Sequence, residues 1–282
     1  MDIKSLRAGF INDLKAIYSV EEVRAFFVIL SEKFLGFSRA MISLNLDMKL
    51  TDQQLVDFDN AKIKLAQQQP IQYIVGETNF FGLQFNVDSS VLIPRPETEE
   101  LVDWILKDQK GGRDTISILD IGSGSGCIAI SLAKNIADSE VYALDISEEA
   151  INTAKGNAKR NDATVAFLHA DILETKALFQ KFDVIVSNPP YVRELEKQEI
   201  KPNVLNNEPS QALFVADDNP LIFYKCIANL AHKYLNKKGV LYFEINQYLG
   251  LETQKMIEDI GFSLVELRQD LFGNDRMIRA EL

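Results

Sequence analysis

In the first quarter of the chain, apolar residues recur three or four positions apart, as on one face of an amphipathic helix. The first helix carries Leu6, Phe10, Leu14 and Ile17 on that face. Ser19 is a typical N-cap for a second helix, which Gly36 ends, and a third begins near Thr51 before Pro70 interrupts the pattern. The apolar side of the third helix carries Leu55, Phe58, Ile63 and Leu65. Residues 1 to about 75 are therefore predicted to form a helical bundle with its own core.

From Tyr73 to Val91 the pattern changes to an alternation of apolar and polar residues that is rich in β-formers. Turn signals lie at Gly82 and at residues 88–90. The alternation predicts a β-hairpin, and we assign residues 76–92 as a hairpin linker between two domains.

From Pro94 onwards, short apolar runs alternate with helical patterns. The seven candidate strands are residues 116–121, 141–146, 165–170, 182–187, 240–245, 263–267 and 276–280. The candidate helices are residues 97–107, 127–137, 147–160, 221–235 and 251–260. This alternation is typical of a parallel, doubly wound sheet covered by helices. Residues 93–282 are thus predicted to be a seven-stranded, Rossmann-like α/β domain in which the last strand can run antiparallel.

Composition and charge narrow the possible functions of the 282 residues. The net charge of −11 argues against a nucleic-acid substrate, because phosphate binding favours basic surfaces, and it suits a protein partner. Two distant cysteines, Cys127 and Cys226, and two histidines, His169 and His232, indicate neither a disulfide framework nor a metal site. The chain begins with an amphipathic pattern and has no apolar run of membrane-spanning length, so we expect a cytoplasmic protein without a membrane partner.

A glycine-rich loop follows the first strand of the α/β region. Gly122, Gly124 and Gly126 let the backbone turn sharply and approach a ligand closely, although a tight turn alone can require glycine. Asp145 ends the next strand, where a carboxylate binds ribose hydroxyls in several nucleotide-binding folds. The loop therefore predicts a nucleoside-containing cofactor.

The carboxylate before the loop discriminates between cofactors. Asp120 precedes Gly122 by two residues, and a negative charge there would oppose a pyrophosphate at the helix N-terminus. That charge suits an ammonium group, such as the one on the methionine part of S-adenosylmethionine. Asp171, after the third strand, is placed either to reach an adenine amino group or to cap the strand end. These residues favour a methyltransferase over a nicotinamide-dependent dehydrogenase.

The fourth strand runs directly into Asn188, Pro189, Pro190 and Tyr191. An amide nitrogen is a poor nucleophile, and two hydrogen-bond acceptors aimed at its NH₂ group favour the tetrahedral geometry that attack requires. The side-chain oxygen of Asn188 is one such acceptor, and the Pro189 carbonyl is the other, because prolines fix φ and lack an N–H. Tyr191 offers a flat face to a planar amide or base. The corner predicts methyl transfer to a planar nitrogen.

Together these motifs are similar to those of amino-methyltransferases, and further blocks resemble the release factor glutamine methyltransferases in particular. The blocks are residues 72–87, 91–102 (VLIPRPETEELV), 207–218, 241–250 and 270–276. The resemblance covers nearly the whole chain, with residues 1–75 as a substrate-docking domain. It implies transfer of a methyl group from S-adenosylmethionine to N5 of the glutamine in the GGQ motif of peptide chain release factors, with S-adenosylhomocysteine as product.

Residue by residue, the motifs and the resemblance give two sets of site residues. The expected cofactor-binding residues are Asp120, Gly122, Ser123, Gly124, Ser125, Gly126, Asp145, Asp171, Ile172 and Asn188. The expected catalytic and substrate-binding residues are Asn188, Pro189, Pro190 and Tyr191. Two positions depart from the family pattern. Ser123 stands where the family often has threonine, and Ile172 stands where an aromatic residue can pack on adenine. Arg95 is assigned no catalytic role, since a structural salt bridge fits it equally well, and Glu97 or Thr98 can begin the following helix. The segment by itself fits a capped helix start, and the resemblance implies that it also walls the cofactor and substrate pocket.

Two other functions remain compatible with parts of the pattern. An amino-methyltransferase for adenine N6 or guanine N2 in DNA or rRNA would use the same Asn-Pro-Pro-Tyr chemistry on a flipped base. A non-catalytic, cofactor-binding partner of the translation apparatus would not need that corner. The acidic charge and the lack of a Lys/Arg-rich stretch favour the protein substrate.

Overall fold

The computed structural model describes residues 1–109 and 115–282. The elements up to the hairpin are α1 (Ile3–Leu14), α2 (Val20–Leu35), α3 (Arg39–Leu44), α4 (Asp52–Ala66), α5 (Ile71–Val75), β1 (Glu77–Phe80) and β2 (Leu83–Asn86). The next are α6 (Pro96–Asp108), β3 (Ile116–Ile121), α7 (Cys127–Asn135), β4 (Ser139–Asp145), α8 (Glu148–Arg160), β5 (Ala166–His169) and β6 (Phe182–Ser187). The last are β7 (Val192–Arg193), α9 (Pro202–Leu205), β8 (Phe214–Val215), α10 (Ile222–Tyr234), β9 (Leu235–Glu244), α11 (Gly250–Ile260), β10 (Leu264–Gln269) and β11 (Asp275–Glu281). These elements divide into two compact units, one of residues 1–76 and 202–207 and the other of residues 77–201 and 208–282.

The first unit is helical and has its own apolar core. The predicted N-cap Ser19 and the predicted helix end at Gly36 are confirmed: Ser19 accepts from the Glu22 N–H, and Gly36 ends α2 in the left-handed conformation. The helix predicted to begin near Thr51 does so with a capping box between Thr51 and Gln54. These caps satisfy N–H and C=O groups that a helix cannot pair internally. The core includes Ile3, Phe10, Leu14, Val23, Phe27, Leu30, Phe58 and Leu65.

Three details of the predicted bundle are wrong. Ile17 lies beyond the end of α1 and is 42% exposed, and Ile63 is 55% exposed while Ala61 is buried. Position 61 shares a face with Phe58 and Leu65, whereas position 63 lies on the opposite side of a helix with 3.6 residues per turn. The start of the predicted hairpin segment, from Tyr73, belongs to helix α5.

The hairpin β1–β2 closes through a two-residue turn. Phe81 and Gly82 both have positive φ, which matches the type I′ geometry favoured between twisted strands. Phe80 and Phe85 are buried in the core of the second unit, and Arg160 of α8 donates to three side chains of the hairpin. The segment assigned as a linker therefore packs as part of the second unit.

The second unit is built on a seven-stranded sheet with the order β10-β11-β9-β6-β3-β4-β5. Six strands run in the same direction, and β11, between β9 and β10, runs antiparallel to both. Side chains alternate between two cores, one under α6, α7 and α8 and the other under α10 and α11. The predicted fold class, including the antiparallel last strand, is confirmed.

The strand order reverses at β3, because the chain moves out through β4 and β5 and returns to β6 on the other side. In open α/β sheets, ligands bind outside the carboxyl ends of strands at such a reversal. Ile121 at the end of β3 pairs with Ser187 at the end of β6. The glycine loop and the Asn-Pro-Pro-Tyr corner therefore begin side by side. Within the two described ranges, no helix is long and apolar enough to cross a membrane.

Candidate active site

The glycine loop adopts the conformation that its sequence requires. Gly122, Gly124 and Gly126 have φ of +75°, +53° and +79°, a region that other residues rarely occupy. A Cβ at Gly126 would lie 3.0 Å from Ile130 Cδ1 and 3.1 Å from Ala154 Cβ, so this glycine also lets α7 approach α8. The first two glycines keep the loop backbone open towards the cavity.

Asp120 is fully buried behind the loop. One carboxylate oxygen accepts from the Ala129 N–H at 3.1 Å, while Oδ1 has no hydrogen-bond partner among the described residues. Burial, with a smaller contribution from the charge of Asp145, raises the pKa of Asp120 to about 7. The hydroxyls of Ser123 and Ser125 are also buried, and they have no hydrogen-bond partner among the described residues. Such unsatisfied polar atoms are rare in folded proteins, and these three are suited to a ligand that brings donors.

Asp145 joins the end of β4 to the glycine loop. Its two carboxylate oxygens accept from the Gly124 N–H at 2.7 Å and the Ser147 N–H at 2.9 Å. Each carboxylate oxygen can accept a further bond, so the group can hold the loop and bind ligand hydroxyls at the same time. Asp171 lies after the end of β5, and its Oδ1 accepts from the Leu173 N–H at 2.8 Å. That bond is the strand-end capping arrangement, and it leaves the other Asp171 oxygen available for a ligand.

The Asn-Pro-Pro-Tyr corner is held by groups distant in sequence. Asn188 donates from Nδ2 to Thr98 Oγ1 at 3.3 Å, and the Thr98 hydroxyl donates to Glu244 Oε2 at 2.6 Å. Tyr191 donates its hydroxyl to Glu244 Oε1 at 3.0 Å. Ser187, one residue before the corner, donates to the Ile121 carbonyl at 2.6 Å and ties the ends of β6 and β3 together. The corner is therefore fixed from the sheet and from α6.

A single cavity brings most of the predicted residues together. It holds about 1200 Å³ of empty space, including its open mouth. Ten predicted residues line it: Gly122, Ser123, Gly124, Ser125, Asp145, Asp171, Ile172, Asn188, Pro189 and Pro190. Three do not: Asp120 and Gly126 lie behind the loop, and Tyr191 turns towards Glu244.

The segment before α6 and the start of that helix supply one wall of the cavity, as the family resemblance of residues 91–102 implied. Val91, Leu92, Pro94, Arg95 and Thr98 line this wall. The helix begins at Pro96 with Arg95 as N-cap, so the prediction that Glu97 or Thr98 begins it is wrong. Proline is favoured at the first helical position because its missing N–H needs no partner there.

Arg95 forms a salt bridge, one of the roles that the sequence left open, and its partner lies far along the chain. Its Nη2 is 2.7 Å from Glu208 Oε1, and the carboxylate of Glu208 is almost completely buried. Glu208 also accepts from the Ile93 N–H at 3.3 Å. The pair holds the entry segment against residues 208–212, which contribute Pro209, Gln211 and Ala212 to the cavity.

Burial and nearby negative charges keep two potential nucleophiles of this region, the thiol of Cys127 and the hydroxyl of Tyr191, in their protonated forms. Burial, together with the nearby charge of Asp120, raises the pKa of the Cys127 thiol to about 12. Burial and the charge of Glu244 raise the pKa of the Tyr191 hydroxyl well above its usual value. Both groups therefore stay protonated at neutral pH and do not compete for an electrophile.

Comparisons with known proteins concern the fold and the family. Residues 98–213 match the family model described as Methyltransferase small domain, and residues 6–76 match the PrmC N-terminal domain. The fold is similar to that of the hMettl16 catalytic domain in complex with MAT2A 3′UTR hairpin 6, with a TM-score of 0.55, 15% identity and coverage of 82% of each chain. It is also similar to Thermus thermophilus 16S rRNA N2 G1207 methyltransferase, with a TM-score of 0.52, 18% identity and coverage of 73% of this chain and 49% of that one. The protein has the class I methyltransferase fold.

Similarity in sequence defines the family within that class. The release factor glutamine methyltransferase of Flavobacterium psychrophilum is 50% identical over 281 residues, which cover 99% of each chain. The protein of the same name from Bacteroides thetaiotaomicron is 45% identical over 268 residues, or 95% of each chain. The chain belongs to the release factor glutamine methyltransferases.

Proposed function

We propose that the protein transfers a methyl group from S-adenosylmethionine to the N5 amide nitrogen of the glutamine in the GGQ motif of peptide chain release factors. S-adenosylhomocysteine is the second product. The observation that carries the proposal is the orientation of Asn188. Its Nδ2 donates a hydrogen bond to Thr98 Oγ1, so its Oδ1 faces away from Thr98. Asn188 lines the cavity beside the glycine loop.

The residues of the cavity fit S-adenosylmethionine. The buried, unpartnered Oδ1 of Asp120 supplies negative potential behind the loop for the ammonium group of the methionine part. Asp145 accepts from the ribose hydroxyls, and Asp171 and Ile172 hold the adenine. When bound, the cofactor would supply an electrophilic methyl group on a positively charged sulfur, and this charge removes the need for a strong base before the transfer. The methylated nitrogen then loses one proton to solvent, and the sulfur leaves as the neutral thioether.

The chain then needs only to orient and polarise the substrate amide. Asn188 Oδ1 and the Pro189 carbonyl accept from the two N–H bonds of the glutamine side chain. These bonds favour a nitrogen whose lone pair has left conjugation with the carbonyl and points at the methyl group. Acceptors that are fixed in place before the reaction stabilise the transition state without a reorganisation cost.

The first helical unit supports a protein substrate. We assign residues 1–75 as the docking domain, residues 76–92 as the connection and residues 93–282 as the methyltransferase domain. Unit 1 has its own core and exposes several large apolar side chains, among them Leu44, which is 84% exposed. Because none of the described residues of this unit lines the cavity, it is suited to bind a partner rather than to take part in the chemistry.

Methyl transfer from labelled cofactor tests the proposed function directly. We expect label in an intact release factor, none when the glutamine of its GGQ motif is replaced by asparagine, and none in DNA or rRNA. A short GGQ peptide, which lacks the rest of the factor, should be methylated with a higher KM than the intact factor. Label in DNA or rRNA, with none in the release factor, would instead assign the protein to the nucleobase methyltransferases.

A change at Asp145 tests the cofactor assignment. Asp145→Ala should weaken S-adenosylmethionine binding by about ten- to a hundredfold, the usual range for a hydrogen bond to a charged group. Asp145→Asn is the matched control, because it keeps one acceptor for the Gly124 or Ser147 N–H, and it should bind more tightly than the alanine variant. Calorimetry on folded protein measures both, and unchanged affinity in the alanine variant would remove Asp145 from the cofactor site.

A further inference from the structure

Glu244 is a buried carboxylate beneath the Asn-Pro-Pro-Tyr corner. It ends β9 and is 1% exposed, and its two oxygens accept from the hydroxyls of Thr98 and Tyr191. A hydroxyl has a single hydrogen to donate, so both donors are directed at Glu244 as long as it is ionised. Burial raises the pKa of Glu244, while the bonds from Thr98 and Tyr191 and the positive charge of Arg276 favour the carboxylate.

The direction of the Thr98 hydroxyl decides how Asn188 is oriented. Thr98 gives its hydrogen to Glu244, so towards Asn188 its oxygen can only accept. Asn188 must then direct its Nδ2 at Thr98, and its Oδ1 points away from Thr98. If Thr98 lost its acceptor, its hydroxyl could turn and donate to Asn188 Oδ1, and the amide could rotate by half a turn. That rotation would present N–H groups to a substrate NH₂ group.

We propose that Glu244 and Thr98 are positioning residues that fix the rotation of the Asn188 amide and thereby keep an acceptor aimed at the substrate nitrogen. The proposal rests on the proposed function, because it assumes that Asn188 Oδ1 accepts from the glutamine amide. Neither residue reacts with the substrate. Their effect passes through two hydrogen bonds, from Asn188 to Thr98 and from Thr98 to Glu244.

Variants at Thr98 test the proposal. Thr98→Val keeps the shape and removes the hydroxyl, and it should slow single-turnover methyl transfer by about ten- to a hundredfold, as for loss of a charge-assisted hydrogen bond. Thr98→Ser keeps the hydroxyl and should stay within about threefold of the wild type, a loss smaller than that range. Cofactor affinity should be unchanged in both. Thr253→Val is the matched control, because Thr253 is equally buried but donates to the carbonyl of Leu249, the N-cap residue of α11.

Glu244→Gln tests the same chain from its other end. A glutamine amide can donate to Thr98 Oγ1, which frees the Thr98 hydrogen for Asn188. The rate should fall as in Thr98→Val. If this variant does not fold, the Thr98 series still decides the question.

A double-mutant cycle separates positioning from a general structural effect. If Thr98 acts through Asn188, then Thr98→Val should cost nothing further in a chain that already carries Asn188→Ala. Additive losses, or equal losses in Thr98→Val and Thr98→Ser, would overturn the proposal. Failure of the proposed function would look different, because the wild type itself would then transfer no methyl group to a release factor.

Discussion

Asn188→Ala should transfer methyl groups about a hundred- to a thousandfold more slowly than the wild type at saturating cofactor, as when one preorganised transition-state hydrogen bond is lost in other enzymes. The side-chain oxygen accepts from the substrate NH₂ group, and this bond strengthens as the nitrogen becomes tetrahedral. The effect should fall on the rate constant of the chemical step, measured in a single turnover, and much less on substrate affinity. A melting curve confirms that the variant is folded.

Asn188→Asp is the sharper companion experiment. A carboxylate keeps the acceptor towards the cavity and loses the donor that contacts Thr98 Oγ1. We expect a single-turnover rate between those of the wild type and the alanine variant. If the aspartate and alanine variants are equally inactive at saturating cofactor, or if alanine changes only the apparent substrate affinity, Asn188 holds the loop and the acceptor is Pro189 alone.

Asp120→Asn should stabilise the protein without cofactor at pH 8. Burial raises the pKa of Asp120 from 3.8 to about 7, so folding disfavours the charged form. The stability that this carboxyl contributes is complete below the unfolded pKa and is lost as the pH rises towards 7. Because one pKa unit corresponds to about 1.4 kcal/mol, the asparagine variant should gain on the order of 4 kcal/mol over the wild type at pH 8.

Urea unfolding at several pH values measures this gain. The difference between variant and wild type should grow between pH 4 and 7 and then stay constant. Asp218→Asn is the control, because this aspartate is exposed, and it should show no such growth. If the difference in unfolding free energy between Asp120→Asn and the wild type did not change with pH, burial would not disfavour the charged form of Asp120.

The same variant should lose the attraction between the Asp120 carboxylate and the ammonium group of the cofactor. Asp120→Asn should bind S-adenosylmethionine more weakly, while its affinity for 5′-methylthioadenosine, which lacks the amino-acid part, should stay near that of the wild type. Equal weakening for both ligands would place the effect in the loop rather than in the charge.

The sequence predicted the central sheet well because its strands are buried on both faces. The predicted strands 116–121 and 182–187 match β3 and β6 residue for residue. A strand covered on both faces is a continuous apolar run between turn signals, and few other structures fit such a run. The glycine loop and the following corner were predictable for the same reason, since each is the first polar segment after a buried strand.

The contacts that orient the site were not predictable from the sequence. Thr98 and Glu244 are 146 residues apart, and nothing local connects them. The one signal was a glutamate at the end of the apolar run VLYFEI, since a buried charge requires partners. Tyr191 was predicted to face the substrate amide. The structure turns its hydroxyl towards Glu244, because the direction of a side chain after a Pro-Pro turn depends on packing partners that only the fold supplies.

The pairing of Ile121 with Ser187 limits how this enzyme could be given a new substrate. A residue inserted in either strand would turn every following side chain to the other face of the sheet, so the cofactor loop and the amide-binding corner cannot be moved apart in small steps. The wall from Val91 to Thr98 and the segment 209–212 lie outside that sheet. Directed evolution towards another planar nitrogen should therefore accumulate its substitutions in those two segments and leave the strand ends unchanged.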